Sequence, residues 1–414
     1  MKMNHYLAAA AALLLSHAAA MSITSTNYWN ITNDVEGSVR LNGLAFQQNT
    51  LTTFGDYQYV AFYQTATGYG KHYVNLGRRR ISPSIGAWQY FAFTDYFMGI
   101  SGDGKIHLSF DHHDVPLNYR VSTAGIAKTI PSSWSANAFG GVQHSLPGST
   151  GPWTPVTYPR FERIDNGDLL MEFRIGQSGA GDSWIHRYSS TSGQWSQVNK
   201  YLQGQDNNAY INGFSNVAGK QYVSWTVRET PDASTNHDFY FAYSEDAGRT
   251  FKQTNGQTVA LPITPSTRQI INQEAQCADE KGRFHVLMRD NSIGTAHFYH
   301  YLRSADGTFS KTALNAPGLS TPPYLAYRGK IAATGDNLIA ILPDQPKQTV
   351  QIWGATAGGG FTDWKKLTEI TNMAGEPLVD EERLRKNGVL SLFVRQGGPF
   401  GTRKVQVWDF GIAS

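Results

Sequence analysis

A single cysteine, Cys277, stands in a chain of 414 residues, so no internal disulfide can form and packing must supply stability. It lies in the strand-like stretch NQEAQCADE, where no basic neighbour activates a thiol, and is expected to be buried and inert. Charge is also scarce. Only 16% of residues are charged, the formal net charge is +3, and no dense Lys/Arg run occurs; a nucleic-acid partner is therefore not expected. After the first twenty residues no apolar run is long enough to span a membrane, so no membrane partner is expected either. Several catalytic signatures are missing. There is no Gly-x-Ser-x-Gly elbow and no phosphate loop, and His112 and His113 are adjacent rather than spaced for a helical zinc site.

What the chain does have is aromatics, at 13%, and 41 glycines. Short apolar runs bounded by turn residues predict an all-β protein. The N-terminus, MKMNHYLAAAAALLLSHAAA, has a basic start, a short apolar run and an Ala-x-Ala end. It reads as a secretory signal peptide over residues 1–20, which makes the mature chain secreted and extracellular. Asn30-Ile31-Thr32 is a glycosylation acceptor pattern.

One motif recurs seven times: a Gly/Asn/Asp turn, an apolar strand, a polar break, then a strand with aromatics. Its strand centres are Val60, Leu108, Leu170, Val223, Val286, Ile339 and Leu390. The spacing of roughly 50 to 60 residues matches propeller blades with loops. The prediction is one seven-bladed β-propeller over residues 21–414. The last copy lacks a following strand, and the segment STNYWNITNDVEG is expected to supply it and close the ring.

Antiparallel blades place the end of each second strand and the start of each first strand on one face. The polar breaks then crowd together there: Gln64, His112 and His113, Arg174, Arg228, Arg289, Asp344 and Arg395. First-strand starts add Tyr158, Tyr210, Gln273 and Tyr324, and His144 falls in the connection between the second and third blades. Four arginines around one rim predict a local positive field and an anionic ligand. Of the two histidines, His113 is the expected catalytic one, because it lies further beyond Phe110 and nearer the loop tip. An imidazole, a phenol and a guanidinium facing an acidic sugar suit β-elimination. A base removes the proton α to the carboxylate, a cation neutralises that carboxylate, and the oxygen on C4 leaves.

The stretch SEDAGRTF, Ser244 to Phe251, resembles the Asp-box of BNR repeats. With FDHH, TYPRF and the seven copies, the chain resembles the BNR-type propellers of polysaccharide lyases. These include ulvan lyases and the secreted L-rhamnose-α-1,4-D-glucuronate lyases that act on gum arabic. The resemblance implies that His113, His144, Tyr210 and Arg228 are catalytic, with His and Tyr transferring protons and Arg228 neutralising the uronate. Substrate binding is assigned to His112, Tyr158, Arg174, Trp225, Gln273, Arg289, Tyr324 and Arg395. The resemblance favours the rhamnose–glucuronate branch. No cofactor is expected to be required and no metal ligand is assigned, although the polar turns leave room for a structural calcium ion. The expected partner is a uronate-containing polysaccharide, acted on by a monomer.

Two other functions fit the same fold. A sialidase would hold a carboxylate with the same arginines and would draw a nucleophile pair from Tyr324 and Glu274, leaving FDHH idle. A lectin-like propeller would stack sugars on Trp184, Trp225 and Tyr301. An ultraviolet-absorbing unsaturated uronate separates the lyase from both.

Overall fold

Strand after strand in this chain reads as a short apolar run between turn residues, and the runs pair locally into small antiparallel sheets. The computed structural model describes residues 21–35, 42–44, 46–65, 72–93, 98–123, 125–204, 208–228, 230–263, 271–290, 297–320, 327–399 and 401–413. The sheets form seven blades in a ring, a β-propeller. The second strands of blades one to seven are Tyr57–Thr65, Ile106–Ser109, Leu169–Gln177, Lys220–Arg228, Phe284–Asp290, Asn337–Asp344 and Val389–Gln396. Each contains one of the seven strand centres read from the sequence. These strands are covered on both faces by neighbouring blades, which is why they are apolar almost throughout instead of alternating. Asn337–Asp344, for example, is buried at every position.

The ring closes through the N-terminal segment. Ser22–Asn33 pairs antiparallel with Lys404–Ala413 as the outermost strand of blade seven. A short helix, Glu381–Asn387, links the first two strands of that blade. Asp380 caps it by accepting from the backbone N–H of Arg383, and Gly388 ends it at φ 63°, a left-handed conformation that costs glycine little. The Asp380 carboxylate also accepts from Thr53 and Gln58 of blade one. Beside it Asp409 pairs with Arg79 at 2.7 Å and Arg383 at 2.9 Å, all three buried. The seam between blades seven and one is thus tied by compensated charges.

The Asp-box is a turn that binds itself. The Ser244 hydroxyl donates to Asp246 at 2.8 Å, and Asp246 accepts both the backbone N–H and the hydroxyl of Thr250. This delivers Phe251 into the core, stacked on Tyr201 at 5.2 Å. Cys277 is buried, and burial pushes its thiol well above the usual range. Blade two departs from the expected four strands. Among the described residues it has three, of 3 or 4 residues each, and isolated bridges run from Phe139 to Ser122 and from Gln143 to Tyr119 where a fourth would lie. The long connection after blade two is therefore free to reach the face that carries the strand-end polar residues.

Candidate active site

Blades two, three and four bring one cluster together at that face. Tyr210 lies near the start of the first strand of blade four, and Arg228 ends the second strand of the same blade; Tyr210 pairs with Thr226 in the ladder, two residues along from the Asn208–Arg228 pair. Arg174 stands near the end of blade three's second strand, and Thr157 and Tyr158 at the start of its first. The break after blade two's second strand supplies His113 and Asp114.

The Tyr210 oxygen is the meeting point. Arg174 Nη1 donates to it at 3.3 Å and Arg228 Nη1 at 3.1 Å, and Ser178 Oγ lies 2.9 Å away. The Arg228 guanidinium also covers the ring, 4.0 Å from its centroid. The two arginines differ in what balances their charge. Arg174 is buried and reaches Asp114 Oδ1 at 3.0 Å and the Thr157 hydroxyl at 3.1 Å. Arg228 is half-buried and, besides Tyr210, donates to the neutral Asn236 amide oxygen at 2.7 Å. Among the described residues no carboxylate pairs with Arg228, so it is the cation left to meet an anion.

Asp114 ties the histidine to this cluster. Its second oxygen lies 3.5 Å from His113 Nδ1, while Thr157 and Arg174 hold the first. His113 itself is exposed, its side chain 63% accessible, and its ring meets Tyr158 edge-on at 6.1 Å. The Tyr158 ring also lies 6.4 Å from the Tyr210 ring and 5.2 Å from the Arg174 guanidinium, and it packs against Phe46 at 5.0 Å. Tyr158 has φ 54° although it is aromatic and precedes a proline. That is a costly conformation of the kind kept where structure around it enforces it. Here Arg160, buried and paired with Glu172 at 3.0 Å, donates to the Tyr158 carbonyl at 3.2 Å. His144 reaches the same face from the connection after blade two. Its Nδ1 lies 2.8 Å from the Leu117 carbonyl, which can only accept, so Nδ1 donates there and Nε2 is the ring nitrogen left for a ligand.

Other sequence assignments need correction. His112 is buried, and its Nε2 accepts from the Asn118 backbone N–H at 2.9 Å, holding the hairpin. Burial pushes its imidazole down to about 3, so it is neutral and structural rather than a sugar contact. Trp225 lies inside blade four, 3% exposed and stacked on Tyr240 at 5.6 Å, because this second strand is covered on both faces. Arg395 is buried against Asp34 at 3.5 Å, and Arg403 shares that carboxylate at 2.6 Å. Its charge is spent between the chain ends. Trp184 and Tyr301 are packed in blade interiors, so the lectin-like stacking surface is not formed by these rings. Arg289 is buried near the end of blade five's second strand, opposite Asn272 and Phe298. Gln64 is exposed and accepts from Asn75, and buried Asp344 accepts from the Ser320 backbone. Gln273 lies in the first strand of blade five with its side chain, like that of Glu274, outside the described residues; Tyr324 is outside them altogether.

Sequence reasoning missed Asp114, Thr157, Ser178 and Asn236. Asp114 did carry a signal: it is an acid directly after two histidines. Ser178 carried none beyond its place in a long break. An axial cavity lined by Gln48, Asn212, Gln276, Glu162, Lys330 and Arg385 shares no residue with the cluster. Burial raises the Glu162 carboxyl to about 8 and lowers the Lys330 ammonium to about 8. Its mixed charges suit an anion less well than the mouth does. Among the described residues no group of three or more His, Cys, Asp and Glu side chains is placed to hold a metal ion.

Comparison with known proteins agrees with the architecture. The family described as BNR repeat-containing family member matches residues 57–316, more than half of the chain. A long-isoform ulvan lyase of Alteromonas sp. (strain LOR) is 24% identical over 251 residues, 49% of this chain and 25% of that protein. A second, from Pseudoalteromonas sp. (strain PLSV), is 25% identical over 203 residues, 40% of this chain and 20% of that protein. The chain thus spans a quarter or less of the length of these relatives. Among solved structures, the polysaccharide lyase Uly1 superposes with a TM-score of 0.71 at 16% identity, covering 94% of this chain and 99% of that one. An ulvan lyase of family PL25 gives 0.66 at 16% identity, with 91% and 94% covered. At these identities the superpositions show a shared fold.

Proposed function

We propose a reaction for this chain, which belongs to the BNR repeat-containing family: it is a polysaccharide lyase that cleaves the bond to C4 of a uronate by β-elimination. The observation that carries the reading is Arg228. Its guanidinium touches the Tyr210 oxygen at 3.1 Å and meets no carboxylate among the described residues. A uronate carboxylate placed there is neutralised, and the α proton becomes removable. His113 is the base: Asp114 stands beside its Nδ1, which leaves Nε2 to take the proton from C5. The electron pair forms the C4=C5 bond as the C4–O bond breaks. Tyr210 supplies the proton to the leaving oxygen, and the two guanidinium donors on its own oxygen stabilise the charge left behind. His144 accepts from a sugar hydroxyl through Nε2.

The preferred substrate is a rhamnosyl-glucuronate end of a gum arabic-type polysaccharide, from which L-rhamnose is released, and the signal-like residues 1–20 support action outside the cell. The similarity to proteins named ulvan lyases supports the reaction class, with ulvan the nearest alternative substrate. The test is a panel of uronate polysaccharides, with products read by ultraviolet absorbance and mass. The expected result is an unsaturated uronate and free rhamnose from gum arabic. Unsaturated product from ulvan alone would move the substrate while keeping the reaction. Saturated products would overturn the elimination.

A further inference from the structure

We propose that Asn30 carries an N-linked glycan whose first sugar, an N-acetylglucosamine, rests on the ring of Tyr28. The proposal is independent of the elimination and needs only that residues 1–20 lead the chain into a secretory pathway that makes this modification. Asn30-Ile31-Thr32 is the one Asn-x-Ser/Thr triplet in the chain. The structure places it in Ser22–Asn33, the outermost strand of blade seven, where Asn30 is exposed. Gln406, buried on the neighbouring strand directly opposite, donates from Nε2 to Asn30 Oδ1 at 2.8 Å. The acceptor end of the amide is thus turned into the sheet, and Nδ2, the atom that takes a sugar, is turned to its open edge. Two residues earlier, on the same face of the strand, stands Tyr28, 54% exposed. One side of its ring is covered by Trp408, 4.6 Å away and 16° from parallel. Trp408 is itself held by a hydrogen bond from Nε1 to Gln406 Oε1 at 2.9 Å. Among the described residues no strand pairs beyond Ser22–Asn33. The other side of the Tyr28 ring is therefore open to the C–H face of a sugar on Nδ2, about 7 Å along the strand.

The strand itself gives a reason for a glycan. An edge strand offers its unpaired backbone groups to other chains, and proteins blunt such edges with charge, proline or shortness. Other blades of this ring use those devices. The outermost strands of blades three, five and six carry Lys200, Lys311, and Lys365 with Lys366, and that of blade one, Gln89–Phe93, has only 5 residues. Ser22–Asn33 has 12 residues, SITSTNYWNITN, with no charged residue and no proline, and most of its positions are exposed. Two bulges interrupt its register, one of them between Asn30 and Thr32, and a glycan at Asn30 adds bulk and solubility at that edge. The donor is a polyprenyl-diphosphate oligosaccharide, used by a transferase of the pathway. Asn30 Nδ2 attacks C1 of its first sugar, the N–C1 bond forms as the C1–O bond breaks, the diphosphate leaves, and one amide proton passes to solvent. Blade seven lies across the ring from blades three and four, so the glycan leaves the mouth clear.

The experiment is secretion of the full chain from yeast as wild type, Asn30→Gln and Tyr28→Ala, with mass mapping of the peptide that contains residue 30 and melting of the glycan-trimmed forms. The expected wild-type mass includes an N-linked oligosaccharide at Asn30, which Asn30→Gln lacks. Wild type trimmed by an endoglycosidase to a single N-acetylglucosamine should melt about 1 °C above wild type stripped completely by an amidase, the scale of one aromatic contact in a chain of this size. In Tyr28→Ala that difference should vanish. Secreted wild type that is bare at Asn30 overturns the site, and so does a chain that the secretory pathway does not take up. Equal melting of the trimmed and stripped forms, or a difference that survives in Tyr28→Ala, overturns the resting place on Tyr28.

Discussion

Two groups of arginines in this propeller are built on opposite principles. On blade seven Arg395 faces Asp34, which Arg403 also reaches, and at the neighbouring seam Arg79 and Arg383 converge on Asp409. On blades three and four Arg174 and Arg228 converge on a phenol, and among the described residues only Arg174 has a carboxylate, Asp114. The first arrangement cancels charge between distant parts of the chain and closes a ring. The second leaves one positive charge at an open mouth. A strand-end arginine therefore says which face a residue is on, and its counter-ion says what it is for.

The sharpest way to break the comparison is to remove the groups around which the open charge is arranged. Tyr210→Phe and His113→Ala should each lower the elimination rate by about 10²-fold to 10⁴-fold, the range of a general acid or base, while an acidic oligosaccharide still binds through Arg228. Initial rates together with calorimetric titration check both halves. Loss of binding equal to the loss of rate would mean that these residues only hold the sugar.

The closed seam should respond in the opposite sense. Asp409→Ala leaves two buried guanidiniums without their shared partner and should cost about 3–5 kcal/mol of stability. Activity per folded molecule should be unchanged. Denaturant midpoints and rates on the folded fraction measure this; unchanged stability would show that the seam is not what closes the ring.

A smaller effect tests His112 as hairpin support. Its folded imidazole resists protonation until about pH 3, whereas the unfolded one takes a proton near its ordinary value of 6.5. Between these values the unfolded state binds more protons, so the His112 contribution to stability falls as pH falls. His112→Gln keeps an acceptor for the Asn118 N–H and does not titrate. The stability advantage of wild type over this variant should shrink from pH 6.5 towards 3. A constant difference would mean that His112 is protonated in the folded state.

The ring was legible because a blade's second strand is buried on both faces and so reads as an apolar run ending in a polar break; Val60 through Leu390 all fall on such strands. Blade two's departure from four strands among the described residues was not legible, since single bridges from Phe139 and Gln143 leave no period. His113, Tyr158, Arg174, Tyr210 and Arg228 could be picked out by position, and the structure brings them together. The same rule also selected Arg395 and Trp225. It failed there because the Asp34 partner comes from the other end of the chain, and because Lys220–Arg228 is buried on both faces, Trp225 included.

The most direct test pairs two variants that the sequence cannot tell apart. Arg228→Ala and Arg395→Ala are measured together for formation of ultraviolet-absorbing product and for melting temperature. The account predicts that Arg228→Ala loses at least about 10²-fold to 10³-fold in rate, the loss expected for one donor to a developing anion, and melts like wild type. Arg395→Ala keeps its rate and melts lower. Equal losses of rate in the two variants, or full activity in Arg228→Ala, would contradict it.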